Sequence, residues 1–441
     1  MRRVLTGAVL GALVLNPVIV LPQEMPFIWG QPWGVGARAM AMGGAYTAVS
    51  DDYAALHYNP AGLGQNRRMN LSASLSFLSM ENKATFMETE TAETPTYSRL
   101  NDLGLCIPVP TSRGSLAFGI GYHRIRLLDN GMLTSKYVGA SASELLPADY
   151  EARWENERIE TGALSNTSLG MSLEMAPGLF LGAAMNIWGG DDDYTWQFRE
   201  IDEKNLYTYS DSTSTEHIAT DFSGINLSFG ILMKVMDRVS IGATVVTPVT
   251  LRARENWDYA DVFNWDADQA EDPEVVSDNG DSEYKVRAPW VVRGGLAVHP
   301  GPVLISAEGE FQNYSQFEYV THPPQEDYSQ TQANMDIKRN FRNVINTRVG
   351  AELALPFADA RLRAGYAIYP SHIKDTDSKQ DRKVVSFGAG FRFMDQLVFD
   401  ITAGLTSWDP PAYDTLLFGR FFPIQEKINA RNILFTFTYL M

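Results

Sequence analysis

Cysteine is almost absent from this sequence. Cys106 is the single one in 441 residues, so the chain can form neither an internal disulfide nor a zinc site built from several thiolates. Basic residues are also scarce, since 36 Lys and Arg stand against 53 Asp and Glu, for a formal net charge of −17. That balance argues against nucleic acid as a partner. A hydrophobic content of 45% excludes disorder over the whole chain.

The sequence has no long apolar run beyond its N-terminal residues. Arg2 and Arg3 precede an apolar run from Val4 to Leu15, which is the pattern of a secretory signal. We predict a signal peptide over residues 1–24, with an uncertain cleavage position. No later segment has the 18 consecutive apolar residues of a transmembrane helix. An exported chain of this kind is periplasmic, secreted or an outer-membrane barrel, and its periodicity distinguishes these classes.

Alternation of apolar and other residues with a period of two runs through the rest of the chain. From Leu71 to Phe77, every second residue is apolar and the residues between are serines. We find fourteen such segments of about 8–15 residues, each long enough to cross a bilayer at the tilt of a barrel strand. Six tight connections alternate strictly with seven long polar ones, as periplasmic turns and extracellular loops do. The sequence predicts an all-β fold, a 14-stranded antiparallel transmembrane β-barrel over residues 69–441 with long extracellular loops.

The segment before the first strand has an unusual composition. Gly36–Gly64 reads GARAMAMGGAYTAVSDDYAALHYNPAGLG, which is too rich in small residues for an ordinary amphipathic helix and too apolar for a solvated linker. A barrel of about 14 strands has a lumen wider than its own side chains can fill. We therefore predict that residues 25–68 form an N-terminal hatch that plugs the lumen.

This segment also carries a family resemblance. Its motif resembles the N-terminus of the FadL/TodX superfamily of outer-membrane transporters, and residues 363–406 resemble that family's C-terminal strands. The motif residues are Gly43, Gly44, Asp51, Asp52, Asn59, Pro60, Ala61 and Gly62. The resemblance implies a hatch-plugged barrel that passes long-chain fatty acids or similar hydrophobic compounds by passive diffusion. PorV-like barrels share the signature, so protein secretion or surface attachment is the alternative function, with a secretion-system protein as partner.

Charged residues are predicted inside the barrel by strand parity. These lumen charges are Arg287, Arg293, Glu308, Glu310, Arg348, Glu352, Arg361, Arg363, Arg392 and Asp400. Two interpretations remain open. The charges form an ion-pair ladder that holds the hatch, or an arginine among them binds the carboxylate of a ligand. Asp51 and Asp52 are expected to pair with the same arginines.

Residue patterns for catalysis or metal binding are weak. The six histidines have no metal-ligand spacing and no nucleophile motif beside them. Acidic runs at 191–193, 278–283 and 375–381 lack the full ligand series of a calcium loop, although calcium there stays open. We expect no enzyme activity, no metal and no cofactor. The expected partners are outer-membrane lipid and a hydrophobic small molecule, with no nucleic acid, and the chain is expected as a monomer in the outer membrane of a Gram-negative-type bacterium.

Overall fold

The computed structural model describes residues 30–32, 34–142, 146, 149–236, 238–266, 273–325, 328–417 and 420–441. The predicted signal peptide lies outside these residues. No helix within those ranges is long and apolar enough to cross a bilayer.

Strands dominate the described residues. In chain order they are β1 Gln31–Pro32, β2 Asn70–Phe86, β3 Thr89–Glu93, β4 Thr96–Val109, β5 Leu116–Leu127, β6 Asn130–Gly139, β7 Glu151–Ala176, β8 Leu179–Ile201, β9 Tyr209–Val235, β10 Val239–Val246, β11 Val249–Trp265, β12 Glu274–Ala288, β13 Val291–Val298, β14 Val303–Asn313, β15 Glu318–Tyr319, β16 Asn343–Leu355, β17 Ala360–Tyr369, β18 Arg382–Phe393, β19 Leu397–Trp408, β20 Tyr413–Leu417 and β21 Arg420–Leu440. Helices are short. They comprise α-helices Ala37–Ala41, Ala55–Tyr58 and Gln330–Asn340, and 3-10 helices Pro60–Gln65, Ala140–Ala142, Tyr314–Gln316, Pro356–Ala358 and Ser378–Gln380.

The strands close into a barrel. Antiparallel ladders join β2, β4, β5, β7, β8 and β9 in that order, and likewise β14, β16, β17, β18, β19 and β21. Two wall positions between these sets consist of two strand pieces each, β10 with β11 and β12 with β13. Pairing of β21 with β2, from Leu440 opposite Asn70 to Ile424 opposite Phe86, closes the sheet. The described chain thus forms a wall of fourteen strand positions, and the predicted fold is confirmed.

Tight turns join the strands at one end, which we call the periplasmic end. In the connection between β18 and β19, Met394 has a φ of 52° and Asp395 a φ of 57°. The connection has three residues, Met394 to Gln396, between the paired residues Phe393 and Leu397. Gln396 N donates to Phe393 O at 3.2 Å and closes the turn. The C-terminus lies at the same end, where Met441 N donates to Met69 O at 2.8 Å.

At the opposite, extracellular end, the strands extend well past the points where the predicted loops were expected to begin. β8 and β9 stay paired up to Ile201 opposite Asp211, and β11 and β12 up to Phe263 opposite Glu274. Two of the seven long connections predicted from the sequence as loops, 190–219 and 250–285, are therefore mostly paired strand. An antiparallel ladder satisfies the backbone in water as well as in lipid, so nothing forces a strand to end at the membrane surface.

The outer face of the wall is apolar. Large hydrophobic side chains point outward from strands all around the barrel, including Leu75, Ile107, Ile120, Leu169, Ile187, Phe229, Leu296, Ile305, Val349, Phe387 and Phe437. A closed ladder leaves no unpaired backbone in lipid, and an apolar outer band lowers the free energy of the wall there. This architecture is that of bacterial outer-membrane barrels.

The extracellular extensions enclose an aromatic cluster of their own. Trp154 is 1% exposed and packs edge-on against Phe198 and Phe422, with ring centroids 5.8 and 5.7 Å away. Its indole Nε1 donates to Tyr150 Oη at 2.7 Å. Glu200 is fully buried beside this cluster. Burial raises the pKa of the Glu200 carboxyl to about 7.

The outward parity of the wall can be tested at Val349. Replacing Val349 with Arg puts a charge on the lipid face, which costs about 2–4 kcal/mol near the middle of a bilayer. We expect a large loss of the folded, heat-modifiable form in outer-membrane fractions. Val275→Arg is the matched control, because Val275 is also exposed but lies in the extracellular part of β12. Equal assembly of the two variants would contradict the assignment of the lipid face.

The buried carboxyl in the aromatic cluster predicts a pH dependence. Because the pKa of Glu200 is raised from an ordinary 4.5 to about 7, the native state binds the proton more tightly, and stability falls as pH rises between these values. Glu200→Gln is expected to stabilise the cluster by about 1–3 kcal/mol at about pH 8 and by little at about pH 4. Near-UV circular dichroism during unfolding measures this. Glu203→Gln, at an exposed carboxylate, should show no such gain, and parallel pH profiles of Glu200→Gln and wild type would contradict the idea.

Candidate functional site

Residues 34–68, which we call the inner segment, enter the lumen of the barrel. Val35, Met42, Tyr46 and Leu56 are each at most 1% exposed, as expected for a segment enclosed on all sides. The segment lies where the sequence suggested a hatch. Its helices are only one or two turns long. Backbone bonds such as Gly44 N to Ala39 O at 2.9 Å satisfy part of its backbone within the segment, and the remaining groups need partners outside it. The question for this site is where those groups find partners.

Inward-facing side chains of the wall accept hydrogen bonds from the inner segment. The Glu308 carboxylate on β14 accepts from Tyr46 N at 3.0 Å and from Thr47 N at 2.8 Å. Asp102 on β4 accepts from Gly36 N at 3.1 Å and is itself fully buried. These charge-assisted bonds are stronger than those between neutral groups.

Wall side chains also donate to carbonyl groups of the segment. Ser172 Oγ donates to Ala61 O at 2.7 Å, and Thr244 Oγ1 donates to Tyr58 O at 2.9 Å. Arg293 Nη1 donates to His57 O at 2.9 Å. The wall therefore completes the hydrogen bonding of the inner segment from several strands.

The small residues of the motif allow the inner segment to pack closely on itself and on the wall. Gly43 and Gly44 have φ angles of 66° and 78°, a region that favours glycine. Gly62 lies so close to Ser50 that an added Cβ would be 1.8 Å from Ser50 O. Contact with the wall is equally close, since a Cβ on Gly365 of β17 would lie 2.0 Å from Gly43 N. The inner segment therefore packs closely both on itself and on β17 of the wall.

Asn59, Pro60 and Ala61 form the start of the 3-10 helix Pro60–Gln65. The Asn59 side chain caps it by accepting from Ala61 N at 3.1 Å, and its Nδ2 donates to Ile231 O of the wall at 3.0 Å. Pro60 occupies the first helical position, where its missing N–H leaves no partner unsatisfied. The turn predicted from Asn-Pro is thus a cap that also ties the segment to β9.

The two aspartates of the motif do not pair with wall arginines, so that expectation is wrong. Asp51 forms an ion pair with Arg38 of the inner segment itself. Asp52 accepts from Tyr46 Oη at 2.8 Å and from Ala54 N at 2.9 Å. Both carboxylates thus bind partners within the inner segment. They stabilise the fold of that segment rather than its attachment to the wall.

Lumen charges on neighbouring strands form a first ion-pair cluster. Arg348 contacts Glu308 at 2.6 Å and Glu310 at 3.2 Å, and Arg293 contacts Glu310 at 2.6 Å. Glu308, Glu310 and Arg348 are each less than a tenth exposed. Since Glu308 also binds the inner segment, this cluster connects the wall with the segment.

A second cluster lies further along the wall. Arg38 of the inner segment binds Glu352 through two hydrogen bonds, of 2.8 and 3.1 Å. Arg363 bridges Glu352 at 2.7 Å and Asp400 at 2.5 Å. Arg361, near the periplasmic mouth, is 3.7 Å from Glu352. The arginines of both clusters are thus occupied by carboxylates of the protein.

Two arginines depart from the predicted lumen set. Arg287 points outward, because Val286 and Ala288 on either side of it are buried in the core, and it pairs with the exposed Glu318 at 2.8 Å. The parity prediction is wrong there since the strand is interrupted at Pro289 and its phase shifts. Arg392 lies on the inward face at the periplasmic end but is exposed, and no ion pair is recorded for it among the described residues.

A cavity of about 70 Å³ lies between the inner segment and the wall. Its apolar lining includes Leu56 of the segment and Trp188, Val249 and Val291 of the wall. Its polar and charged lining is as extensive and includes Asn226, Arg293 and Glu310. This volume holds several water molecules. The cavity is the place where a solute can contact the inner segment and the wall at once.

The wall beside the cavity is interrupted. Between β10 and β13 the ladder ends at Val246 opposite Val291, and between β11 and β12 it resumes only at Val249 opposite Ala288. The unpaired residues include Pro248 and Pro289, which have no N–H to donate. Both prolines could have indicated this break from the sequence, because proline within a strand marks an edge or a break.

No group of three or more His, Cys, Asp or Glu side chains arranged to hold a metal ion occurs among the described residues.

Comparison with known proteins gives structural relatives only. No protein-family model matches this sequence, and no curated protein matches it. A Pseudomonas aeruginosa FadL homologue matches with a TM-score of 0.61 at 12% identity, over 93% of this chain and 99% of that one. The Pseudomonas putida toluene transporter TodX matches with a TM-score of 0.59 at 14% identity, over 93% of this chain and 99% of that one. The Ralstonia pickettii toluene transporter TbuX matches with a TM-score of 0.57 at 14% identity, over 92% of this chain and 98% of that one. The chain has the fold of these FadL and TodX proteins over nearly its whole length.

The link between wall and inner segment can be tested at Glu308. Glu308→Ala removes one of the two carboxylates that contact Arg348. It also leaves Tyr46 N and Thr47 N of the inner segment without their acceptor. We expect a loss of about 3–5 kcal/mol in the free energy of unfolding, together with faster tryptic cleavage after Arg38. The control, Glu318→Ala, breaks an exposed pair and should cost at most about 1 kcal/mol. Equal losses would show that Glu308 does not hold the segment.

Proposed function

We propose that the protein is a passive outer-membrane channel for hydrophobic compounds, such as long-chain fatty acids or other apolar solutes, and not an enzyme. The observation that carries this proposal is the cavity between the inner segment and the interrupted wall. A plugged lumen with a pocket at its side suits a solute that leaves sideways. It does not suit a water-filled pore.

The proposed route has three stages. A solute enters among the extracellular extensions and reaches the cavity at Leu56. The inner segment blocks the direct way to the periplasm, so the solute moves through the wall between Pro248 and Pro289. Trp290, which is 51% exposed beside this interruption, is of the residue type that lines the edge of a bilayer. The passage therefore connects the lumen with lipid near the extracellular edge of the apolar band.

Energetics favour a sideways route for apolar solutes. Each Å² of apolar surface moved from water into lipid contributes about 25 cal/mol, so a solute that never crosses the aqueous periplasmic mouth avoids the opposite cost. Movement down a concentration gradient needs no ATP or ion coupling. TodX and TbuX are named as toluene transporters, which supports small aromatic hydrocarbons as one substrate class to test beside fatty acids.

The alternative function, protein secretion or surface attachment through a protein partner, stays a prediction from the sequence. The same is true of the monomeric state.

The route can be tested by filling the cavity. Val291→Trp places a large ring into it, and we expect uptake of labelled toluene and labelled decanoate by cells to fall to near background. Val292→Trp is the matched control, since Val292 is the next residue and faces lipid with 43% exposure. Both variants are checked for the folded barrel by heat-modifiable mobility. Uptake through a folded Val291→Trp protein at the wild-type rate would overturn the proposed route.

A further inference from the structure

Two buried amide side chains line the cavity between the inner segment and the wall. Asn166 of β7 is 5% exposed and Gln312 of β14 is 3% exposed. Within the described part of the chain, the Gln312 side chain has no hydrogen-bond partner. A buried amide that has lost its bonds to water without replacing them is costly. Gln312 therefore offers a free donor and a free acceptor to a molecule in the cavity.

The Asn166 amide is also available, because its neighbours bond to one another. Ser168 Oγ lies 3.3 Å from Asn166 Oδ1 but only 2.7 Å from Asn186 Oδ1. A hydroxyl has one proton, and the shorter contact takes it. Asn186 Nδ2 donates to Asn226 Oδ1 at 3.1 Å, and Asn226 Nδ2 donates to Thr247 O at 2.8 Å. This network runs from β7 to the break in the wall and leaves Asn166 free to bind a ligand.

The charged groups of the cavity lining have both signs. Arg293 contacts Glu310 at 2.6 Å, and Glu310 also accepts from Asn346 Nδ2 at 2.8 Å. Arg126, which lines the cavity too, donates to Gly30 O at 3.2 Å. An ionic headgroup would meet a like charge here as well as an opposite one. The free groups that remain are amides, which suit a neutral polar group.

The size of the cavity limits what it can hold. Its volume of about 70 Å³ is about half of the 150 Å³ that accommodates a benzene ring. The cavity therefore holds one end of a substrate and not a whole ring. Val291 lies directly opposite Gln312 in the ladder between β13 and β14 and lines the same cavity. A free amide beside an apolar side chain suits a hydroxyl on a hydrocarbon, since a hydroxyl both donates and accepts.

We propose that the cavity binds the hydroxyl end of a neutral apolar alcohol, and that Gln312 and Asn166 recognise this hydroxyl. The inference rests on the proposed transport function and adds neutral alcohols as a substrate class. β7 and β14 are not neighbours in the wall, so the two amides face the cavity from different sides and a hydroxyl bonds to either. A substrate without a hydroxyl leaves both amides unpaired and binds less tightly for that reason.

The test compares 1-hexanol with n-heptane, which has a methyl group in place of the hydroxyl. Neither compound ionises at neutral pH. Equilibrium binding of each labelled compound is measured on the purified full-length protein in a nonionic detergent, and binding to the detergent alone is subtracted. Because heptane also leaves water more readily, the readout is the ratio of the hexanol affinity to the heptane affinity. We expect the double variant Asn166→Leu/Gln312→Leu to lower this ratio about tenfold relative to wild type.

Gln425→Leu is the matched control, because Gln425 is exposed on the outer face of β21 and does not line the cavity. It should keep the wild-type ratio. An unchanged ratio in the folded double variant overturns the hydroxyl site. If the double variant does not fold, the two single variants replace it, and at least one of them must lower the ratio.

Failure of the hydroxyl site is distinguishable from failure of the transport function. An unchanged ratio leaves heptane binding and the effect of Val291→Trp on toluene uptake intact. Wild-type protein that binds neither compound and takes up no toluene would overturn the transport function and the hydroxyl site together.

Discussion

The structure depends on one constraint, that every backbone N–H and C=O away from water needs a partner. In lipid this constraint requires a closed ladder, and the pairing of β21 with β2 provides it. In the lumen the same constraint applies to the inner segment, whose short helices and turns leave several backbone groups without a partner inside the segment. Glu308, Asp102, Ser172 and Thr244 of the wall supply the missing acceptors and donors. Wall and inner segment therefore form one hydrogen-bonded unit.

The same constraint explains how the wall can be interrupted. Thr247 N donates to Leu227 O at 2.8 Å, and Asn226 Nδ2 donates to Thr247 O at 2.8 Å. Pro248 and Pro289 have no N–H. Bonds to β9 thus satisfy Thr247, and one proline on each side of the break removes a donor. These features reduce the number of unpaired groups where the ladder between the two wall positions is broken, and the break lies beside the cavity. The position of the proposed route follows from this local chemistry.

Much of the architecture could be predicted, and the failures have physical causes. Periodicity identified the strands, and the alternation of tight and long connections identified the two ends. Parity placed Glu308, Arg348 and Glu352 on the inward face, where the structure has them. It was wrong for Arg287 because the alternation shifts its phase at Pro289, so that Arg287 before the proline and Arg293 after it point to opposite faces. The partners of Asp51 could not be predicted either, since they depend on how the inner segment folds on itself.

What the sequence determined by itself is local and repetitive: the alternation that makes each strand, the turn residues, the small residues of the inner segment and the types of charge inside. Each of these follows from near neighbours in the chain. The tertiary structure alone decided which charges meet, because ion pairs such as Arg38 with Glu352 join residues far apart in sequence. It also decided which arginines stay unpaired. Arg363 and Arg382 look alike in the sequence, and only the closed barrel gives one two carboxylates and the other two aromatic rings.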